Sequence, residues 1–263
     1  MTASLTPAMS GPNGSGVLDR SPGPVMMARS VYKSFGQVRA LIDATFQVDE
    51  GETVAIVGDN GAGKSTLVKI LTGAIQPDTG SVELDGTEVS FRTTRDSLHL
   101  GVTAVYQNLA LADNMTVAEN VFLGRVPTRW LRVDRRRMER ESAELLNSLA
   151  INVPDVRART ALLSGGQRQA VAIARAFRSG RRLMILDEPT AALGVQEGQK
   201  VLDIIEGLKG QRVSIIVVSH NLDHVFRVAD RIVVMRGGRI VGSRRKDETT
   251  TDDIVHLIVG TRN

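Results

Sequence analysis

The sequence contains no cysteine. Disulfide bonds, thiol catalysis and cysteine-ligated zinc are therefore excluded, and the composition fits a reducing compartment. Long apolar runs are missing too, because no stretch approaches the roughly 18 uncharged apolar residues of a membrane-spanning helix. We therefore do not expect the chain to form a membrane channel by itself.

Aromatic residues make up only 3% of the chain, which leaves few stacking platforms for nucleic-acid bases. The excess of basic over acidic residues is also small, 33 against 29, for a net charge of +4. We interpret this charge as a solvated surface, with anionic lipid as the partner that any bias would favour. We expect no nucleic-acid partner.

The length of 263 residues is enough for one domain, or for one domain with a subdomain. Residues 1–24 are rich in proline, glycine, serine and threonine without periodicity, which predicts a disordered tail. This tail has no basic segment followed by an apolar one, so we predict no signal peptide. The folded domain is expected at residues 25–263.

A glycine-rich loop follows a short apolar run at residues 54–57 and precedes an apolar-periodic segment. This strand–loop–helix context, with the spacing Gly58, four residues, Gly63-Lys64-Ser65, is typical of a phosphate-binding P-loop rather than of a turn that merely ends a strand. Lys64 would reach the β- and γ-phosphates of a nucleoside triphosphate, and the Ser65 hydroxyl would bind Mg²⁺. The candidate phosphate-binding residues are Gly58, Asp59, Asn60, Gly61, Ala62, Gly63, Lys64, Ser65 and Thr66.

Periodicity predicts the remaining elements. Short apolar runs between residues 25 and 57 suggest a meander of strands, and hairpins are expected at 81–91, around Asp85-Gly86, and at 231–243. Helices are predicted at 117–123, 135–149, 167–177, 198–208, 222–228 and 251–259. Buried strands at 102–106, 183–186 and 213–218 alternate with these helices, which implies a parallel sheet.

An arginine run, Arg135, Arg136 and Arg137, begins the helix at 135–149, for which Asp134 is the expected N-cap. The run lies largely off the apolar face of that helix. Contact with a partner or nucleic acid competes with a solvated helix face, and we favour the solvated face.

Three polar residues follow buried strands. Asp187 and Glu188 end the strand at 183–186, and His220 follows the strand at 213–218. In open α/β sheets, ligands bind at this end of the strands. Asp187 is placed for a Mg²⁺ shell, Glu188 for polarising a water that attacks the γ-phosphate, and His220 for contacting that phosphate or water. Each residue type also occurs at strand ends for structural reasons alone.

The segment Leu163-Ser164-Gly165-Gly166-Gln167 lies between the P-loop and Asp187. Gln107 precedes this segment in the chain and His220 follows it. With these residues in this order, the chain resembles the ATP-binding subunit of ABC transporters over residues 25–260. The resemblance implies an α/β fold: a P-loop NTPase core with a mainly parallel sheet, an antiparallel β subdomain and an inserted α-helical subdomain. The core with its β subdomain would take residues 25–107 and about 178–263, and the helical subdomain, with the signature, about 108–177.

The resemblance also implies roles. Ser164, Gly165, Gly166 and Gln167 of a second copy would complete the ATP site, which makes the unit of function a homodimer. Gln107 is similar to the family's metal-binding and coupling glutamine, so the Mg²⁺ set is Ser65, Gln107 and Asp187, and the catalytic set is Lys64, Glu188 and His220. Phe35 looks like the aromatic residue that stacks on adenine, although it also fits ordinary strand core.

One departure from the family concerns Gly194. The family's usual Ser-Ala-Leu-Asp after the strand of Asp187 is here Ala191-Ala192-Leu193-Gly194. The missing carboxylate normally helps to link the two composite sites, so the coupling between them is in question.

Within the family, residues 106–111 and 115–124 are similar to bacterial importers of the ribose, xylose and fructose type. Residues 191–197 and 219–226 resemble the single-cassette, fructose-type subunit in particular. The resemblance implies an ATPase that powers monosaccharide import at the cytoplasmic face of the plasma membrane. Its partners would be membrane permease subunits and, indirectly, an extracytoplasmic sugar-binding protein.

Two other functions compete with import. A non-transport ABC ATPase that acts on ribosomes or DNA typically has two cassettes, a coiled coil or a cysteine-rich insertion, and we recognise none of these here. A regulatory binder without hydrolysis is disfavoured because Lys64, Asp187, Glu188 and His220 are all present.

Overall fold

The computed structural model describes residues 23–211 and 213–260. The strands are β1 (Pro24–Phe35), β2 (Val38–Asp49), β3 (Thr53–Val57), β4 (Thr79–Leu84), β5 (Thr87–Val89), β6 (Val102–Val105), β7 (Thr128–Arg129), β8 (Arg132–Val133), β9 (Leu183–Asp187), β10 (Ser214–Val218), β11 (Arg231–Arg236) and β12 (Arg239–Arg245). The α-helices are α1 (Lys64–Leu71), α2 (Thr94–His99), α3 (Val117–Val121), α4 (Arg135–Ser148), α5 (Gly165–Ser179), α6 (Val195–Lys209), α7 (Leu222–Val228) and α8 (Thr251–Val259). Of the tail predicted at residues 1–24, residues 1–22 lie outside the described part, and Pro24 already belongs to β1.

The six-stranded sheet has the order β12-β11-β3-β10-β9-β6. All its neighbours are parallel except β11 and β12, which form the hairpin predicted at residues 231–243. The carboxyl ends of β3, β9 and β10 therefore meet at one edge. Since β3 and β10 are buried along their whole length, they have the continuous apolar pattern of central parallel strands.

The antiparallel sheet has the order β2-β1-β4-β5. The predicted hairpin around Asp85-Gly86 joins β4 to β5, and both turn residues have positive φ, 50° and 72°. The predicted meander through residue 57 is wrong, because β3 leaves this sheet to pair with β10 and β11. Its pattern, buried on both faces, distinguishes it from the alternating β1 and β2.

Both faces of the six-stranded sheet are covered. Met184 and Leu186 of β9 pack into a core with α3, α4, α5 and α6, whereas Leu183 and Ile185 point to the opposite face, into a core with α1 and the antiparallel sheet. This alternation follows from the period of two along a strand.

The predicted helices are all present, although α6 begins three residues earlier than expected. Asp134 caps α4 as predicted, accepting a hydrogen bond from the Arg137 backbone N–H at 3.0 Å. The sequence interpretation missed α2 and the small β7–β8 hairpin. In the described ranges, none of the helices combines the length and the apolar character needed to cross a bilayer.

Candidate active site

The P-loop between β3 and α1 depends on glycine at two positions. Gly58 and Gly63 have φ values of 147° and 102°, which L side chains rarely adopt. A Cβ at Gly63 would lie 2.6 Å from the Ala40 carbonyl oxygen, and one at Gly58 would collide with the carbonyl oxygen of Met235. The loop backbone is therefore pressed between β2 and β11, which fixes the direction of its N–H groups.

Lys64 folds over this loop. Its Nζ donates hydrogen bonds to the carbonyl oxygens of Gly58, at 2.6 Å, and Asp59, at 2.9 Å. Burial lowers the pKa of the Lys64 ammonium group, and the nearby carboxylates, Glu188 foremost, counteract that effect. The charge is thus held at the loop, where a phosphate group can use it.

Asp187 ends β9 next to this charge. Burial raises the pKa of its carboxyl group, and the neighbouring Glu188 adds to the rise, while Lys64 and Lys69 oppose it. Among the described residues, no side chain or backbone group donates a hydrogen bond to the Asp187 carboxylate. A half-buried carboxylate without a donor is suited to bind a cation.

Glu188 and His220 form a pair at the ends of β9 and β10. The Glu188 Oε1 atom lies 2.9 Å from the His220 Nδ1 atom. The Glu188 side chain is 18% exposed and that of His220 is 70% exposed, so the histidine presents the outer edge of the pair. Both residues line a cavity of about 260 Å³ with Thr190, Leu193, Gly194 and His224.

Ser65 and Gln107 are both exposed, so their side chains are accessible to a ligand. Phe35 lies at the end of the β1–β2 hairpin, the same hairpin whose Ala40 packs on the P-loop. Its side chain is 51% exposed, with the Lys33 Nζ atom 5.7 Å from the ring centroid. The alternative that Phe35 is strand core is therefore wrong.

The signature residues begin α5. The Ser164 hydroxyl accepts a hydrogen bond from the Gln167 backbone N–H at 3.3 Å, and the Gln167 side chain accepts one from the Ser164 N–H at 3.1 Å. This capping box leaves the hydroxyl proton of Ser164 available to an anion. A Cβ at Gly166 would lie 2.9 Å from the Glu197 Cβ, so the helix start packs closely on α6.

The described chain does not bring all predicted site residues together. The P-loop, Asp187, Glu188 and His220 lie at one sheet edge, since they end or follow β3, β9 and β10. Ser164, Gly166 and Gln167 line a separate cavity of about 410 Å³ between α5 and α6, which no P-loop residue lines.

Comparison with known proteins agrees with this geometry. The family model described as ABC transporter matches residues 41–191, more than half of the chain. This chain belongs to the ABC transporter family. The expected family is thereby confirmed.

Relatives of this ABC protein include sugar-import subunits. It is 42% identical to a xylose/arabinose import ATP-binding protein of Sulfolobus acidocaldarius, over 88% of this chain and 92% of that protein. It is 40% identical to a fructose import ATP-binding protein of Rhizobium meliloti, over 91% and 95%. A ribose import ATP-binding protein of Rubrobacter xylanophilus is 42% identical, but this chain spans only 47% of its length.

Solved ABC cassettes share the fold. The ADP conformation of an ATP-binding cassette of an ABC transporter aligns with a TM-score of 0.78 at 25% identity, over 91% of this chain and 100% of that one. A dimeric post-hydrolysis cassette bound to ADP and phosphate aligns with a TM-score of 0.72 at 25% identity, over 84% and 98%. The predicted fold class is confirmed.

Arg175 of this ABC cassette connects two of the predicted site segments, and the sequence interpretation missed this contact. From α5, its guanidinium group donates to the carbonyl oxygens of Leu109, at 2.6 Å, and Ala110, at 2.8 Å. It thereby ties the signature helix to the segment that follows Gln107. The helical pattern gave no signal for this contact, because the two carbonyls lie 65 and 66 residues away in sequence.

Proposed function

We propose that this chain is the ATP-hydrolysing subunit of an ABC transporter that imports a monosaccharide, working as a peripheral subunit at the cytoplasmic face of the plasma membrane. The observation that carries the ATPase proposal is the P-loop with Lys64 at the same sheet edge as Asp187, Glu188 and His220. Monosaccharide import is supported by the sugar-import relatives, which cover most of this chain.

ATP binding would use the P-loop backbone. The close packing of Gly58 and Gly63 on the Met235 and Ala40 carbonyl oxygens holds the loop in one conformation, in which its N–H groups would bind the β- and γ-phosphates. Lys64 would move from the loop carbonyls to the phosphates. The exposed ring of Phe35 would stack on the adenine base.

Mg²⁺ fits the oxygen donors at the sheet edge. The Ser65 hydroxyl, the Gln107 amide oxygen and the Asp187 carboxylate are hard ligands of the type that this ion prefers, and Asp187 lacks a hydrogen-bond donor among the described residues. When bound, Mg²⁺ neutralises charge that develops on the phosphate oxygens.

Hydrolysis would depend on the Glu188–His220 pair. The Glu188 carboxylate accepts a proton from water as the water oxygen forms a bond to the γ-phosphorus, and the bond from that phosphorus to the ADP oxygen breaks. The imidazole of His220, 2.9 Å from Glu188, holds the water or contacts the γ-phosphate. Lys64 stabilises the charge that builds up on the transferred group.

A second copy of the chain would complete each site. Ser164, Gly165, Gly166 and Gln167 at the start of α5 present a helix N-terminus and an exposed hydroxyl, which suit a γ-phosphate from the partner's P-loop. Closure on ATP and reopening after hydrolysis would move the Gln107 segment, which Arg175 ties to α5. Permease subunits would dock at residues 107–124, and an extracytoplasmic binding protein would deliver the sugar.

Purification from the native membrane tests this function. We expect the tagged chain to co-purify with a polytopic permease, and the reconstituted complex to hydrolyse ATP faster when a binding protein loaded with fructose, ribose or xylose is added. Co-purification with ribosomes or DNA, and no stimulation by any sugar-loaded protein, would contradict the import proposal in favour of a non-transport ABC ATPase.

A further inference from the structure

The β7–β8 hairpin, residues 128–133, exposes two large apolar side chains at its turn. Trp130 is 89% exposed and Leu131 is fully exposed. Both have positive φ, 55° and 68°, at turn positions where asparagine and glycine are the usual residues. The positive φ values are costly for residues with a Cβ, and the exposure of two large apolar side chains to water is unfavourable. Both features point to a contact outside the chain.

Positive charge surrounds this turn. Arg129 and Arg132 are paired across the hairpin directly beside Trp130 and Leu131. Arg125 precedes the hairpin, and Arg135 and Arg136 follow it. None of these five arginines forms an ion pair with a carboxylate of the described residues, although Arg137, next in sequence, pairs with Glu141 at 2.6 Å.

The net positive charge of the protein is concentrated in one short segment. Residues 125–137 contain six arginines and one aspartate, a net charge of +5. Since the whole chain carries +4, the other 250 residues together carry −1. The entire basic excess of the protein therefore lies in the hairpin and the residues next to it.

We propose that the hairpin inserts Trp130 and Leu131 into the headgroup region of an anionic phospholipid membrane, while the flanking arginines bind lipid phosphates. An indole at the polar–apolar boundary beside cationic side chains is the arrangement that favours the membrane interface. The membrane is the occupant that the charges favour, because an anionic bilayer offers phosphates to the arginines and an apolar layer to Trp130 and Leu131 at the same surface. The inference rests on the proposed function only in that this function brings the chain to a membrane.

The chain supplies its own probe, because Trp130 is its single tryptophan. Full-length protein is titrated with vesicles of phosphatidylcholine alone or with phosphatidylglycerol added, and tryptophan emission is followed. With anionic vesicles we expect a blue shift, and quenching when the lipids are brominated near the headgroup. Neutral vesicles should bind far more weakly.

Two double variants separate this hairpin from general surface charge. Arg129→Gln with Arg132→Gln should weaken binding to anionic vesicles by about 25-fold, since each basic residue near such a surface contributes roughly fivefold. Arg92→Gln with Arg95→Gln removes two exposed arginines elsewhere and should leave binding within about twofold. ATP hydrolysis in solution should be unchanged in both.

Three results would overturn the inference: unshifted emission with anionic vesicles, equal binding to neutral vesicles, or equal losses in the two double variants. A shift seen only when vesicles contain the permease, or only with nucleic acid, would overturn it too, by identifying a protein or a nucleic acid as the partner. Because these vesicles need contain no transporter, failure here leaves the ATPase proposal standing.

Discussion

At the scale of single residues, Glu188 has an unusual backbone. Its φ of 52° lies in the left-handed region, which is costly for a residue with a Cβ, by about 1–3 kcal/mol. The conformation is held because the Glu188 N–H donates to the Val218 carbonyl oxygen at 2.9 Å, which extends the β9–β10 pairing. In this conformation the Glu188 Oε1 atom lies 2.9 Å from the His220 Nδ1 atom.

Replacing Glu188 with glutamine should separate ATP binding from hydrolysis. The amide keeps the size of the side chain but cannot accept the proton, so we expect the turnover rate to fall by about 10²- to 10⁴-fold, with ATP still bound and the dimer trapped. Steady-state hydrolysis and size-exclusion chromatography with ATP measure both effects. Glu88→Gln, on the exposed β5, is the control, and normal turnover by Glu188→Gln would rule out the proposed base.

The other charges of the site also oppose folding. Burial raises the pKa of Asp187 and lowers that of Lys64, so in each case the charged form is disfavoured in the folded protein. We attribute the retention of these two charges to ligand binding, because they do not favour folding.

Asp187→Asn should therefore stabilise the nucleotide-free protein near neutral pH. Because the carboxyl pKa is raised in the folded state, the protein loses stability as the pH rises from the unfolded-state pKa to the folded-state pKa. Removing the charge should therefore increase the free energy of unfolding near neutral pH, by at most about 1 kcal/mol for a partly exposed group. The gain should vanish below the ordinary aspartate range near pH ~3.9, where the wild-type carboxyl is neutral too.

Thermal unfolding against pH measures this difference. Asp253→Asn is a control of opposite sign, because hydrogen bonds from Thr250 lower the Asp253 pKa, and its removal should destabilise the protein near neutral pH. An Asp187→Asn protein less stable than wild type at neutral pH would contradict the argument.

At the scale of elements, Ser164 at the start of α5 caps the helix and is also proposed to bind the partner's γ-phosphate. Ser164→Ala removes the helix cap and should cost about 1 kcal/mol of unfolding free energy in urea titrations. Ser164→Asp keeps a capping oxygen but puts a negative charge where the partner's γ-phosphate is proposed to bind. We expect the aspartate variant to unfold like wild type and to lose ATP-dependent dimerisation. Normal dimerisation of this variant would leave Ser164 only its capping role.

Gly194, the N-cap of α6, lacks a side chain to accept a hydrogen bond. Its φ of −66° suits any residue, and a Cβ there would meet no atom within 4 Å. Gly194→Asp should therefore add a few tenths of a kcal/mol by capping. It should also restore the family's linking carboxylate and raise the cooperativity of hydrolysis with ATP concentration. Gly194→Asn caps equally without the charge, and equal cooperativity in both variants would contradict a role for the carboxylate.

What the sequence predicts at this scale depends on distance along the chain. The P-loop, the strand ending at Asp187 and the hairpin at Asp85-Gly86 are local patterns, and all are found in the structure. The placement of β3 was predicted wrongly, since its partners β10 and β11 lie more than 150 residues away. The contacts of Ala40, Met235 and Arg175 with the site left no sequence signal either, because each joins separate elements or loops and follows from no local pattern.

At the scale of the whole molecule, we propose that a complete site needs two chains. In one chain the P-loop and the residues after β9 and β10 share a sheet edge, while the signature residues line a different cavity. A dimer that places the α5 start of each copy against the P-loop of the other would contain two equivalent sites, as expected for twofold symmetry.

Mixing two inactive variants tests whether each site is shared between two chains. Lys64→Ala disables the P-loop and Ser164→Asp the signature, so a mixed dimer would combine both lesions in one site and leave the other site intact. With independent sites, we predict that ATP hydrolysis returns to about a quarter of the wild-type rate if pairing is random, and to as much as about half if Ser164→Asp chains do not pair with each other. Mixing Lys64→Ala with Glu188→Gln should restore nothing, since both lesions lie on the P-loop side. No recovery in the first mixture, or equal recovery in both, would contradict a site shared between two chains.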